Sequence, residues 1–218
     1  MKVNRNTHSH MTIENRARHI VHSFRQCNNS LWVWHGTYLA TAPEGKGNTC
    51  PRCNSTDTHF GWPSSPGLSC LEIALSQEWS DGTGRALGVL MLAAGAEAVF
   101  GEVLFRCLGA KMNDYRASRV LLERNGNLSS RIKLFKVISP LSLKEFWVGA
   151  GWRTLYGTWN ALQKERNHFA HGDLWATTET FTSDPSAFTM EFLDGCALFF
   201  NKFSTQESVV SRAPRTSK

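Results

Sequence analysis

Residues 152–172, WRTLYGTWNALQKERNHFAHG, decide the fold. Trp152, Leu155, Trp159 and Leu162 recur at three- and four-residue steps, the period that places side chains on one face of an α-helix. The same steps continue to Arg166 and Phe169. A helix over Trp152–His171 is therefore expected, ended by Gly172, which accepts the left-handed conformation common just past a helix. Arg166 falls on the core-facing line. A guanidinium there is unfavourable unless an anion meets it, so removing it is expected to leave the fold unharmed or even stabilise it.

Outward from this segment the periodicity stays helical. On the C-terminal side, Asp184-Pro185 is a good helix start, an acceptor at the N-cap followed by proline. Phe188, Phe192, Cys196, Phe199, Phe200 and Phe203 then form an apolar face. On the N-terminal side, Ser142-Leu143-Lys144-Glu145 reads as a capping box opening a short helix to about Val148. Gly149 and Gly151 loosen the chain after it. Leu128–Ile138 is another amphipathic helix, stopped by Pro140. Ala86–Lys111 reads as a long apolar helix broken in register by its glycines, with Cys107 in its core face. The uncharged stretch Ala86–Ala96 is too short to span a bilayer.

Before residue 70 the composition changes. Thr12–Cys27 is expected to be a helix, with Ile13, Ala17, Ile20, Val21 and Phe24 on one face. Leu31–Ala40, rich in Trp, Val, Thr and Tyr, reads as a strand. Residues 42–48 and 62–67 are Pro- and Gly-rich and read as loops, and no internal repeat is evident. The expected organisation is a basic, Cys-rich mixed α/β module over 1–70, an antiparallel helical bundle over 71–207, and a disordered basic tail over 208–218.

Of the six cysteines, Cys50-Pro51-Arg52-Cys53-Asn54 has the form of a zinc knuckle, a turn in which two thiolates reach one tetrahedral ion. The position after the second cysteine favours a left-handed backbone, which Asn54 tolerates. Cys27 and Cys70 are the candidates to complete a structural zinc site, with His59 as a substitute for either. A redox pair and four unligated thiols are the competing readings. Cys107 and Cys196 are assigned to core packing.

The formal net charge is +6 over 218 residues, and it is uneven. Residues 1–70 hold seven Lys/Arg against three Asp/Glu, residues 208–218 hold three basic and no acidic residues, and the middle holds fourteen against fifteen. Basic ends suit an anionic partner such as RNA. A secretory leader is not visible in the polar first ten residues, so a soluble, cytoplasmic protein that does not engage membranes is expected.

Arg166-Asn167-His168-Phe169-Ala170-His171-Gly172, at the end of a penultimate bundle helix, resembles the signature of the HEPN superfamily: an arginine, a polar residue, and a histidine a few residues on, here with four between. The resemblance spans about 85–203. It implies a HEPN-like antiparallel bundle and a metal-independent RNA-cleaving site built at the two-fold axis of a homodimer or higher oligomer. Arg166 and His171 would be the catalytic pair, with Asn167 orienting them. Host defence or toxin roles are also implied. HEPN toxins silenced by nucleotidylation carry a tyrosine two residues after the histidine, where this chain has Asp173.

The chemistry is coherent. A group titrating near neutrality moves the protons when a 2′-hydroxyl attacks its neighbouring phosphate. A planar cation stabilises the phosphoryl oxygens. The products would be 2′,3′-cyclic phosphate and 5′-hydroxyl ends. Five residues of separation put Arg166 and His171 about 140° apart on a straight helix, so convergence needs a loosened helix end or a second copy. His168 points away from Arg166. A non-catalytic nucleic-acid-binding or dimerising scaffold is the alternative. A metal-dependent hydrolase using His168 and His171 lacks a carboxylate at helical spacing.

Overall fold

The computed structural model describes residues 12–35, 49–63, 66–172 and 180–204. The remainder of the Leu31–Ala40 strand, the 42–48 loop, Asp173 and the 208–218 tail lie outside them. The chain is mainly helical with a small N-terminal sheet: α1 (Ile13–Val21), β1 (Phe24–Cys27), β2 (Val33–His35), β3 (Thr58–Phe60), α2 (Pro66–Leu75), α3 (Gly82–Met112), α4 (Tyr115–Arg124), α5 (Leu128–Ile138), α6 (Leu143–Gly149), α7 (Leu155–Ala170) and α8 (Pro185–Phe203). The three strands are antiparallel in the order β2-β1-β3.

The expected helix over Thr12–Cys27 is cut short. It ends at Val21, where His22 closes it by donating from its amide to the Arg18 carbonyl. Phe24 is buried, as the helical periodicity assigns it, but as the first residue of β1, whose four residues are all buried. A strand buried on both faces carries no alternation, and four residues are too few to overrule a helical stripe running into them.

α3 is the axis of the molecule. Fourteen of its residues are buried, and α2, α4, α5, α7 and α8 pack on it. Its glycines do not break it. A Cβ on Gly95 would lie 2.9 Å from the Gly67 carbonyl oxygen, and one on Gly67 would lie 2.9 Å from the Gly95 oxygen, so this pair lets α2 lie directly on α3. Gly88 leaves room for the Trp79 ring in the same way. At 31 residues α3 is also long and apolar enough to cross a membrane, against the reading of Ala86–Ala96 alone; its central place in the packing accounts for that apolarity.

The boundary expected at residue 70 falls within α2. Phe24, Val33 and Trp62 from the N-terminal region join the same hydrophobic core as Phe100, Trp159 and Phe199 from the helices. Trp62 sits between Phe24 and Phe200, at 6.2 and 5.4 Å between ring centroids. Asn201 of α8, buried, completes the join. Its amide donates to the Val33 carbonyl at 2.6 Å and accepts from the Val33 N–H at 2.8 Å, so it pairs with β2 as a neighbouring strand would.

The capping devices form as their sequences require. Ser142 and Glu145 make the reciprocal capping box, Asp184 caps α8 with proline following, and Gly172 has φ +77°. α7 starts at Leu155 rather than Trp152, because 150–154 form turns that bring the Trp152 amide onto the Trp147 carbonyl.

Candidate functional site

Two clusters carry chemistry. The first lies at the C-terminal end of α7. Leu155, Trp159 and Leu162 are fully buried as the stripe requires, but the charged residue that continues it inward is Glu165, at 3% exposure, while Arg166 is half-buried. Glu165 is fully engaged. One oxygen accepts from Arg85 of α3, at 2.9 Å from Nε and 2.9 Å from Nη2. The other accepts the backbone amides of Thr180 and Phe181 at 3.0 and 2.7 Å. Arg85 Nη2 also donates to the Phe181 carbonyl at 2.8 Å. Buried ions of this kind persist only when their hydrogen-bonding capacity is met.

Arg166 points to the other side. Its Nη2 forms an ion pair with Glu97 of α3, and Nη1 donates to the Asn167 side-chain oxygen at 3.1 Å. Gln163, with its amide turned to donate, reaches Glu97 at 2.8 Å and accepts from Trp159 Nε1 at 3.2 Å. The anion that the sequence demanded for Arg166 is therefore Glu97. His168 and His171 are exposed. His171 is the C-cap of α7, its amide bonded to the Asn167 carbonyl at 3.1 Å. Among the described residues no hydrogen bond or ion pair joins His171 to Arg166. A single chain thus orients the arginine through Asn167 and Glu97 and leaves the imidazole facing solvent.

The second cluster is in the N-terminal region. The ligand atoms of Cys27, Cys50 and Cys53 all lie within 4.8 Å of one another, with the Cys27 and Cys53 sulfurs 3.5 Å apart. Thiolates on one tetrahedral zinc ion are about 3.8 Å apart, given Zn–S bonds of about 2.3 Å, so the three sulfurs fit a common ion. Asn54 is left-handed at φ +57°, and the Arg52 amide donates to Cys50 Sγ at 3.4 Å. Burial acts to raise the Cys27 thiol, but hydrogen bonds from the Ser30 hydroxyl and the Ser30 and Asn29 amides outweigh it and bring the pKa down to about 6. That favours the thiolate, the form that ligates metal.

Neither other candidate joins this group among the described residues. Cys70 is carried on α2, and the His59 ring is bonded to Asn28 Oδ1 at 2.8 Å through Nδ1. Cys107 and Cys196 are buried in the core, where desolvation pushes both thiols far up, as packing residues require.

Comparison with protein-family models, with curated proteins and with solved structures finds no match for the chain. Its reading therefore rests on its own residues.

Proposed function

We propose that the chain is a metal-independent endoribonuclease of the HEPN type, acting in the cytoplasm as a toxin or defence effector. RNA is cut at a site that two copies complete, leaving 2′,3′-cyclic phosphate and 5′-hydroxyl ends. The observation that carries this reading is the state of Arg166. It is half-buried, held by Glu97 and Asn167, and shares one helix end with the exposed His171. A pre-oriented cation and an exposed imidazole are the two groups that phosphoryl transfer from an internal hydroxyl requires. Because one chain leaves the two groups apart, the second copy supplies the facing partner.

Cys27, Cys50 and Cys53 hold a structural zinc ion in the N-terminal region, with no part in the chemical step. A non-catalytic nucleic-acid-binding or dimerising scaffold is the second reading, and the Glu97 ion pair favours it by neutralising Arg166.

RNA cleavage by the purified dimer decides between them. His171→Ala and Arg166→Ala should each lower the rate by roughly 10²–10⁴-fold with the fold and dimer intact, and wild-type cleavage should continue in EDTA. Equal cleavage by the double variant, or arrest by EDTA without unfolding, overturns the enzymatic reading.

A further inference from the structure

We infer that Ser30 occupies the fourth corner of the cysteine cluster, so that Cys27, Cys50, Cys53 and Ser30 form one tetrahedral site for a thiophilic divalent cation. This rests on the reading of the cysteines as a metal site and adds to it the ligand that the cysteines do not provide.

The argument begins with two loops of unlike sequence and like backbone, Cys27-Asn28-Asn29-Ser30-Leu31 and Cys50-Pro51-Arg52-Cys53-Asn54. In each, the amide of the first cysteine donates to the carbonyl five residues on: Cys27 to Trp32 at 2.9 Å, and Cys50 to Ser55 at 2.8 Å. In each, the next three residues form a turn. In each, an amide within the turn donates to the first cysteine's sulfur at 3.4 Å, Ser30 to Cys27 and Arg52 to Cys50. The fifth residue is left-handed in both, with Leu31 at φ +56° and Asn54 at φ +57°. Asparagine tolerates that conformation; leucine does so poorly, and a bulky residue held there marks a backbone fixed by its surroundings.

The two loops are therefore two copies of one knuckle. Superposing the patterns matches Cys27 with Cys50 and Ser30 with Cys53. Serine stands where the second copy has its second thiolate.

The side chain is placed accordingly. The Ser30 hydroxyl lies 3.3 Å from Cys50 Sγ, and the Ser30 amide donates to Cys27 Sγ at 3.4 Å. Ser30 is thus held against two of three sulfurs that themselves fit one ion, and its oxygen is placed for the fourth vertex of a tetrahedron. Three thiolates give a divalent ion a net charge of −1, and a neutral hydroxyl closes the shell without adding to it. Oxygen binds a soft ion more weakly than thiolate does, so this corner is where the ion exchanges with solvent.

Cobalt(II), whose thiolate charge-transfer absorption reports the number of sulfur ligands, tests this on the stripped, full-length chain. Wild type should bind one cobalt with three-thiolate intensity. Ser30→Cys should raise that intensity by about a third and tighten binding at least about tenfold, and Ser30→Ala should weaken binding about tenfold, the scale of losing one support of a metal. Cys70→Ala and His59→Ala should match wild type. If Ser30→Cys binds one cobalt at unchanged intensity, or if the spectrum moves with Cys70→Ala or His59→Ala instead, the inference falls and the metal reading stands. If wild type takes up no cobalt, both fall.

Discussion

Arg85 and Glu165, eighty residues apart in sequence, meet across α3 and α7 with Nε and Nη2 of the guanidinium on one carboxylate oxygen, both at 2.9 Å. The pair is nearly dry, at 17% and 4% side-chain exposure. Its second carboxylate oxygen holds the Thr180 and Phe181 amides.

Breaking that pair from one side is expected to be severe. Glu165→Ala takes the carboxylate away from Arg85 and the acceptor away from two backbone amides, and should cost about 3–5 kcal/mol. Replacing both partners with apolar residues, Arg85→Met with Glu165→Leu, should cost less than either single change, because no charge is left behind. Urea denaturation of Glu165→Ala, of Arg85→Met and Glu165→Leu singly, and of the double variant measures this. A loss below about 1 kcal/mol for Glu165→Ala would show that the buried ion pair is not needed.

The Glu97–Arg166 pair has a different role. Glu97→Gln keeps a hydrogen-bond acceptor for the guanidinium but removes the charge that fixes it. If Arg166 stabilises the phosphoryl oxygens, cleavage by Glu97→Gln should fall about 10- to 100-fold, the scale of a misaligned catalytic group, chiefly in kcat. A rise in rate would mean that Glu97 shields Arg166 instead. Arg166→Ala should also destabilise the chain by about 1–2 kcal/mol, since half-buried Glu97 would keep the Gln163 amide but lose its counter-charge. The expectation drawn from the sequence, that its removal is neutral or stabilising, ignored a partner 69 residues away.

The Gly67–Gly95 contact sets the spacing of α2 and α3. Gly95→Ala improves helix propensity by up to about 1 kcal/mol, yet its new Cβ would fall 2.7 Å from Leu71 Cδ2 and 2.9 Å from the Gly67 oxygen. Backbone cannot move aside as a flexible side chain can, so a net loss of about 1–3 kcal/mol is expected. Thermal unfolding shows it directly; a raised Tm would mean that the two helices have slack.

What the sequence made legible follows from how local each signal is. The helices with an unbroken stripe, α5, α7 and α8, and the capping box at Ser142 and Glu145 are readable because their determinants lie within one turn. α2 announced itself by Pro66 at its first position, a start signal obscured by the neighbouring loop residues. α4 was missed between two more apolar helices, and β3 is three residues long and defined only by pairing with β1. The ion pairs of α7 with α3 could not be read, because nothing local couples Glu165 to Arg85. Ser30 was visible in principle. Cys-x-x-Ser at 27–30 and Cys-x-x-Cys at 50–53 share a spacing, hidden because position by position the two loops have only the first cysteine in common.

Glu165 has one more consequence. By holding Thr180 and Phe181 fifteen and sixteen residues downstream, it closes the chain into a ring whose other side is the last turn of α7. A change at Glu165 therefore acts in two places at once: it uncouples α7 from α3 at Arg85 and releases the backbone that leads into α8. One carboxylate keeps three helices in register, so the damage from losing it cannot be assigned to any single contact.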